Sequence, residues 1–176
     1  MRKFKFMIIC FFLLSFSLTA YGSNMKATEE ENFVHSFITK LYTFENSSLK
    51  NLSFYKFTYP MDKYSLKLRD FMIEKTFDDF TQKNSYYNFI ISSYSYGYDS
   101  SVYYIKLNSS EKSLNATTYK YTATVELFYN HKSKREIYEV NGELIVCKIN
   151  NEYKITEVNN IKFPSNGASN VISNLV

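Results

Sequence analysis

Apolar positions along the chain change period once. In "TEEENFVHSFITKLYTF", Phe33, Val34, Phe37, Ile38, Leu41 and Tyr42 recur at helical spacing and make one apolar stripe. Thr28 and Glu31 have capping-box spacing, and three glutamates fill the first turn, where the helix dipole is positive. The spacing predicts an amphipathic helix of about four turns that must pack on something. In "LKNLSFYKFTYP", Leu49, Leu52, Phe54 and Tyr55 fit a short helix stopped by Pro60, or an extended segment. "DKYSLKLRDFMIEKTFDDFTQKN" carries Leu66, Phe71, Ile73, Phe77 and Phe80 among charges. It predicts one helix with a break near Glu74, ending at the polar "TQKN".

From Tyr86 the period shortens to two. "YYNFIISSYSYGY" and "VYYIKL" predict strands, with Gly97 at a bulge or bend, and "NSSEKSLNATT" predicts a polar connection. "YKYTATVELFYN" alternates most regularly, with Tyr119, Tyr121, Ala123, Val125, Leu127 and Tyr129 on one side. "HKSK" turns into "REIYEVNGELIVCKI", and "NNE" turns into "YKITEV", closing a hairpin. Helices followed by strands on short turns predict an α+β domain, with helices on one face of an antiparallel sheet.

The first residues change the picture of where the chain acts. "MRKFKFMIICFFLLSFSLTAYGS" has Arg2, Lys3 and Lys5, an apolar run from Phe6 to Leu18, and then small residues. This pattern predicts a secretory leader cleaved after Gly22, with cleavage after Ala20 as the alternative. An uncleaved anchor would need about 20 apolar residues, more than this run offers. Cys10 precedes most of the run, so "MIIC" is leader interior and not a lipid-attachment box. Cleavage leaves 154 of 176 residues and removes three of the positive charges, taking the formal net charge from +4 to +1. That length suits one domain, and so small a charge makes no electrostatic case for nucleic acid. Cys147 alone remains, which rules out an intramolecular disulfide. In "ELIVCKI" it reads as a small buried apolar residue.

Candidate chemistry is sparse. His35 borders the stripe of the first helix, and His131 lies in a turn beside Lys132 and Lys134, so the two do not suggest a dyad. Asp78 and Asp79 are adjacent on a helix and diverge by about 100°, which suits a solvated face. No His-x-x-x-His spacing, phosphate-binding glycine loop or Gly-x-Ser-x-Gly elbow is present. The tyrosines of "SSYSYGYDSSVYY" fit an ordinary strand, whose rings cover the pleat while hydroxyls reach water, or a binding face using the same property.

The helices followed by "GELIVCKINNEYKITEV" resemble the nuclear transport factor 2-like, or cystatin-like, fold. The specific element is the final hairpin, Gly142 to Val158, where Tyr153 stands at a position often held by tryptophan and is followed by Lys154, Ile155, Thr156 and Glu157. The resemblance spans about residues 28–162. It implies N-terminal helices packed on a curved antiparallel sheet, forming a cone that some members use for catalysis and others for binding or assembly. Secreted bacterial members that look similar include domains of conjugation apparatus. The resulting expectation is a leader over residues 1–22, a single domain over 23–163 and a weakly ordered tail over 164–176. The function expected is a secreted or cell-envelope binding domain, non-catalytic, without cofactor or metal. It would take a protein, a peptide or a small apolar ligand on a concave aromatic sheet face. Tyr94, Tyr96, Tyr119 and Tyr121 are the candidate lining residues, and self-association would use the same sheet. Phe33, Phe37, Ile38 and Leu41 belong to the core. Two alternatives stand: a cone-pocket enzyme of isomerase or hydratase type, with His35 or a tyrosine hydroxyl as proton donor, and an envelope component of a conjugation apparatus, membrane-held by an uncleaved leader.

Overall fold

Helix α1, Glu29–Tyr42, starts at the expected capping box: the Glu31 N–H donates to Thr28 Oγ1 at 3.1 Å, and the Thr28 N–H donates to Glu31 Oε2 at 2.8 Å. Its stripe is core, with Val34, Phe37, Ile38, Leu41 and Tyr42 buried and Phe33 half-buried. The computed structural model describes residues 27–46, 58–113, 115–129, 133–164 and 169–170. The leader, most of the expected tail, His131 and the short helix expected over Leu49 to Tyr55 lie outside the described residues. Helix α2, Thr58–Arg69, carries Pro60 in its first turn. Pro60 itself is thus helical, and the segment it was expected to stop lies outside the described residues. The break near Glu74 is present: α2 ends at Arg69 and α3 runs Glu74–Gln82. Between them, Phe71 and Ile73 exchange backbone hydrogen bonds with Ile155.

Asn84–Tyr96 form helix α4, where a strand was expected. Tyr86, Phe89, Ile90 and Ser93 are all buried, at the i, i+3, i+4, i+7 spacing of one helix face. Tyr94, Tyr96 and Tyr98 alternate only because the last belongs to the next element. Gly97 divides them, closing α4 in the left-handed conformation (φ 69°, ψ 44°) with its N–H donating to the Ser93 carbonyl at 2.9 Å. That conformation is open to glycine at little steric cost.

The sheet is an antiparallel meander of β1 (Tyr98–Lys112), β2 (Ala116–Tyr129), β3 (Lys134–Ile149) and β4 (Glu152–Asn159), paired in chain order. The segment expected as a polar connection is mostly strand, since β1–β2 pairing reaches Lys112 opposite Thr117. The β3–β4 hairpin turns on Asn150 and Asn151, both at positive φ, as a tight two-residue turn requires. A short strand β5, Ser169–Asn170, pairs with Tyr138 and Glu139 of β3, so this much of the expected weakly ordered tail is tied to the sheet. Alternation along β2 sorts the faces as read from the sequence: Tyr119, Tyr121, Ala123, Val125 and Leu127 are buried, while Lys120 is exposed and Thr122, Thr124 and Glu126 are half-buried. The helices pack on the first of these faces, which makes this an α+β domain with helices on one side of an antiparallel sheet.

Candidate functional site

Tyr119 and Tyr121, two of the four tyrosines nominated from sequence, line the core and not a surface, with 3% and 2% of their area exposed. Alternation told which residues share a face. The helices bury that face, and this decides the matter. At its centre the Tyr42 and Tyr121 hydroxyls lie 2.9 Å apart, and the Tyr42 hydroxyl donates to the Lys162 carbonyl at 2.8 Å. Phe89 and Phe163 pack edgewise or tilted on Tyr42, with ring centroids at 6.2 and 5.5 Å. Four aromatic side chains thus fill the space between α1, α4 and the sheet. The other two nominees lie on α4: Tyr94 is half-buried against the core and Tyr96 is 71% exposed. The four form no common surface.

Burial holds several phenols protonated well past their ordinary value. Desolvation pushes Tyr42, Tyr121, Tyr86 and Tyr98 upward, and the neighbouring Tyr121 adds to the effect on Tyr42. Tyr119, near Glu30 and Glu31, is pushed up to about 12, first by burial and then by those carboxylates. A raised phenol pKa means that the folded chain keeps protons the unfolded chain loses above about pH 10. Stability is therefore intact below pH 10 and falls as pH rises beyond it. An absorbance titration at 295 nm, followed in parallel by circular dichroism, should show exposed tyrosines ionising first. The buried set should follow in one cooperative step that coincides with unfolding. Ionisation of every tyrosine while the fold persists would contradict this arrangement.

The exposed aromatics gather elsewhere. Tyr103 and Tyr104 on β1 are 67% and 62% exposed. β1 is an edge strand, and its register places Val102 opposite Val125 but Tyr104 opposite Thr124, so Tyr103 is an additional residue at a bulge. At its start this edge is covered: Ser100 turns its N–H and C=O away from β2 and exchanges both with Phe44, at 2.9 and 3.0 Å. Beyond the bulge the same alternation turns the backbone groups of Ile105 and Leu107 to that side. Among the described residues, no backbone pairs with them there.

Two polar places lie elsewhere among the described residues. A cleft of about 390 Å³ between α3 and β4 sets Lys75, Asp79 and Lys83 against Glu157 and Asn159, charges of both signs that select no ligand class. At the other end of the sheet, Glu136 of β3 accepts hydrogen bonds from the hydroxyls of Tyr129 and Tyr138, each at 2.9 Å, and from the Lys134 ammonium. Burial favours its neutral form, but the lysine and the two phenols outweigh that and hold its carboxyl below the usual range. Cys147, expected in the core, is half-buried on the opposite sheet face beside the Thr156 hydroxyl, at 3.6 Å. Asp78 and Asp79 are exposed, and His35 is half-buried on α1. Among the described residues no cluster of three or more potential metal ligands occurs, and no helix is long and apolar enough to cross a membrane.

Among the described residues, the fold and these surfaces define a class, an α+β domain with a filled interior and an unpaired, tyrosine-bearing sheet edge. No protein-family model matches the chain, and no curated protein matches it either. Among solved structures it is similar to the TraH protein of the Gram-positive conjugative plasmid pIP501, determined by NMR in solution. The identity is 18% and the TM-score 0.47, over 80% of this chain and 98% of that one. That similarity is too low for a role to pass from one protein to the other. Sequence reasoning noted Tyr103 and Tyr104 but nominated neither, and missed Glu136. Glu136 did leave a signal: it and Tyr138 alternate on β3, opposite the apolar Leu127 and Val125.

Proposed function

We propose that this chain is an exported, non-catalytic binding module of the nuclear transport factor 2-like type that engages a partner polypeptide along the free edge of β1. The observation that carries the reading is this edge itself, with Tyr103 and Tyr104 standing exposed beside backbone groups that no strand among the described residues pairs with. An extended segment added there would gain main-chain hydrogen bonds and two amphipathic rings. The filled interior supports binding at the rim over chemistry inside the cone. Export is supported by the charge and apolar pattern of residues 1–22.

The test places a photo-crosslinking amino acid at Tyr103 or Tyr104, and at Lys120 on the outer face as a control, in the cells that make the protein. A discrete adduct from the edge positions and none from Lys120 is expected. The pair Tyr103→Ser and Tyr104→Ser should abolish binding with stability changed by less than about 0.5 kcal/mol, as for exposed positions in general. Equal labelling at Lys120, or no adduct at the edge, would sink the reading. The mass of the natural product tests export separately: a chain starting near Ser23 supports release. A chain still starting at Met1 would move the membrane-held component of a conjugation apparatus to first place.

A further inference from the structure

The Glu136 cluster has the form of a binding site that already contains an occupant. Its two carboxylate oxygens are used differently. Oε2 accepts both phenols, from Tyr129 and Tyr138, while Oε1 accepts only the Lys134 ammonium, at 2.5 Å. The two phenol donors fix the carboxylate plane and leave one oxygen for a cation. That cation also lies over the Tyr129 ring, 5.8 Å from its centroid, and the ring is itself braced by an edge contact with the buried Tyr98 at 5.3 Å. A desolvated carboxylate oxygen and an aromatic face are the two features that recognise an ammonium group.

The receptor is built and the occupant is not. Glu136 has 16% of its side chain exposed and sits opposite the buried Leu127, on the face of the sheet that forms the core. Lys134 has 58% of its side chain exposed, on a flexible four-carbon stem at the first residue of β3. Its ammonium can leave without disturbing any buried packing. The carboxylate cannot leave, and without a cation its outer oxygen would lose its charged partner.

We propose that Glu136, Tyr129 and Tyr138 form a primary-ammonium site, held in cis by Lys134 and open in trans to a lysine side chain of another polypeptide. A primary ammonium fits because Oε1 receives a direct N–H bond, which a quaternary ammonium cannot give. Among the described residues one ring faces the charge, fewer than a quaternary group relying on cation–π attraction would need. This site lies apart from the β1 edge and does not depend on binding there.

The test uses the full chain, with Lys134→Ala to vacate the site and n-butylammonium as the probe, read by the ring NMR shifts of Tyr129 and Tyr138. Saturable shifts are expected in Lys134→Ala. Binding should be at least about tenfold tighter than in the wild type, whose own lysine keeps most molecules closed to the probe. Adding Glu136→Gln to Lys134→Ala should abolish the response. If that double variant loses its near-ultraviolet circular dichroism, Tyr129→Phe in the Lys134→Ala background replaces it, and binding should weaken several-fold. Equal affinity in wild type and Lys134→Ala would overturn the proposal, as would full binding after Glu136 or the Tyr129 hydroxyl is removed. Tetramethylammonium binding as tightly as butylammonium would also overturn it, in favour of a quaternary headgroup.

Discussion

Phe163→Ala should lower the unfolding free energy by about 3–5 kcal/mol, the range for emptying a buried aromatic position. Phe163 is 1% exposed and its ring meets three others, Tyr42, Tyr86 and Phe89, at centroid distances of 5.5, 5.9 and 5.3 Å. It arrives after the last long strand, so its position depends on two neighbouring bonds: the Lys162 N–H donates to the Asn141 carbonyl at 2.9 Å, and the Lys162 carbonyl accepts the Tyr42 hydroxyl at 2.8 Å. Rings held from several elements cannot close over the void, which leaves the cavity contribution large. Domains of this size are stable by roughly 5–15 kcal/mol, so the substitution removes a major share of the total. Phe163→Leu, which refills most of the volume, should lose much less. Denaturant midpoints at neutral pH give the comparison. A loss below about 1 kcal/mol for Phe163→Ala would show that its ring does not hold the aromatic cluster together.

Gly142→Ala should be destabilising by about 2–3 kcal/mol through overpacking, although alanine suits a strand better than glycine does. Gly142 pairs with Tyr121 across β2 and β3, and the Tyr121 ring lies directly over it. A β-carbon at Gly142 would stand 2.6 Å from the Tyr121 hydroxyl oxygen and 2.7 and 2.8 Å from two ring carbons. The ring would have to move, but its hydroxyl is engaged with Tyr42, and Tyr42 is engaged with Lys162. The clash therefore spreads from one glycine into the centre of the core. A double-mutant cycle separates this from any effect on the strand itself. In a Tyr121→Ala background, Gly142→Ala should become neutral or stabilising by about 0.5–1 kcal/mol, the ordinary gain from replacing glycine within a strand. A penalty that persists without the ring would place the cause elsewhere.

What the sequence could convey depended on whether a signal was local. The capping box at Thr28 and Glu31 is complete within four residues, and the Asn150–Asn151 turn within two, and both form as read. Helix α4 was misread because two periods overlap on it: the alternate tyrosines are conspicuous, while the buried set of Tyr86, Phe89, Ile90 and Ser93 is partly polar. Gly97, which the sequence places at a bulge or bend, is the boundary between helix and strand. The nominated site failed for a different reason. Period two along β2 groups Tyr119 with Tyr121, but only the docking of α1 and α4 decides that this group faces inward. Tyrosine is equally suited to a core with hydrogen-bond partners and to a wet surface. The cluster at Glu136 needed the pairing of two strands before its carboxylate could be seen among its phenols.

The path of the chain also governs when this domain can exist. Each strand of the meander pairs with its sequence neighbour, so the sheet is assembled by closing short turns, which carry small entropic penalties. The helices are different: the four among the described residues are synthesised before the strands they cover, and Tyr42 must wait 120 residues for Lys162, which delivers Phe163 beside it. A chain growing from its N-terminus therefore carries amphipathic helices before the sheet face that buries them has been made. The aromatic cluster around Tyr42 is therefore complete only once Phe163 has been made, long after the helix that carries Tyr42.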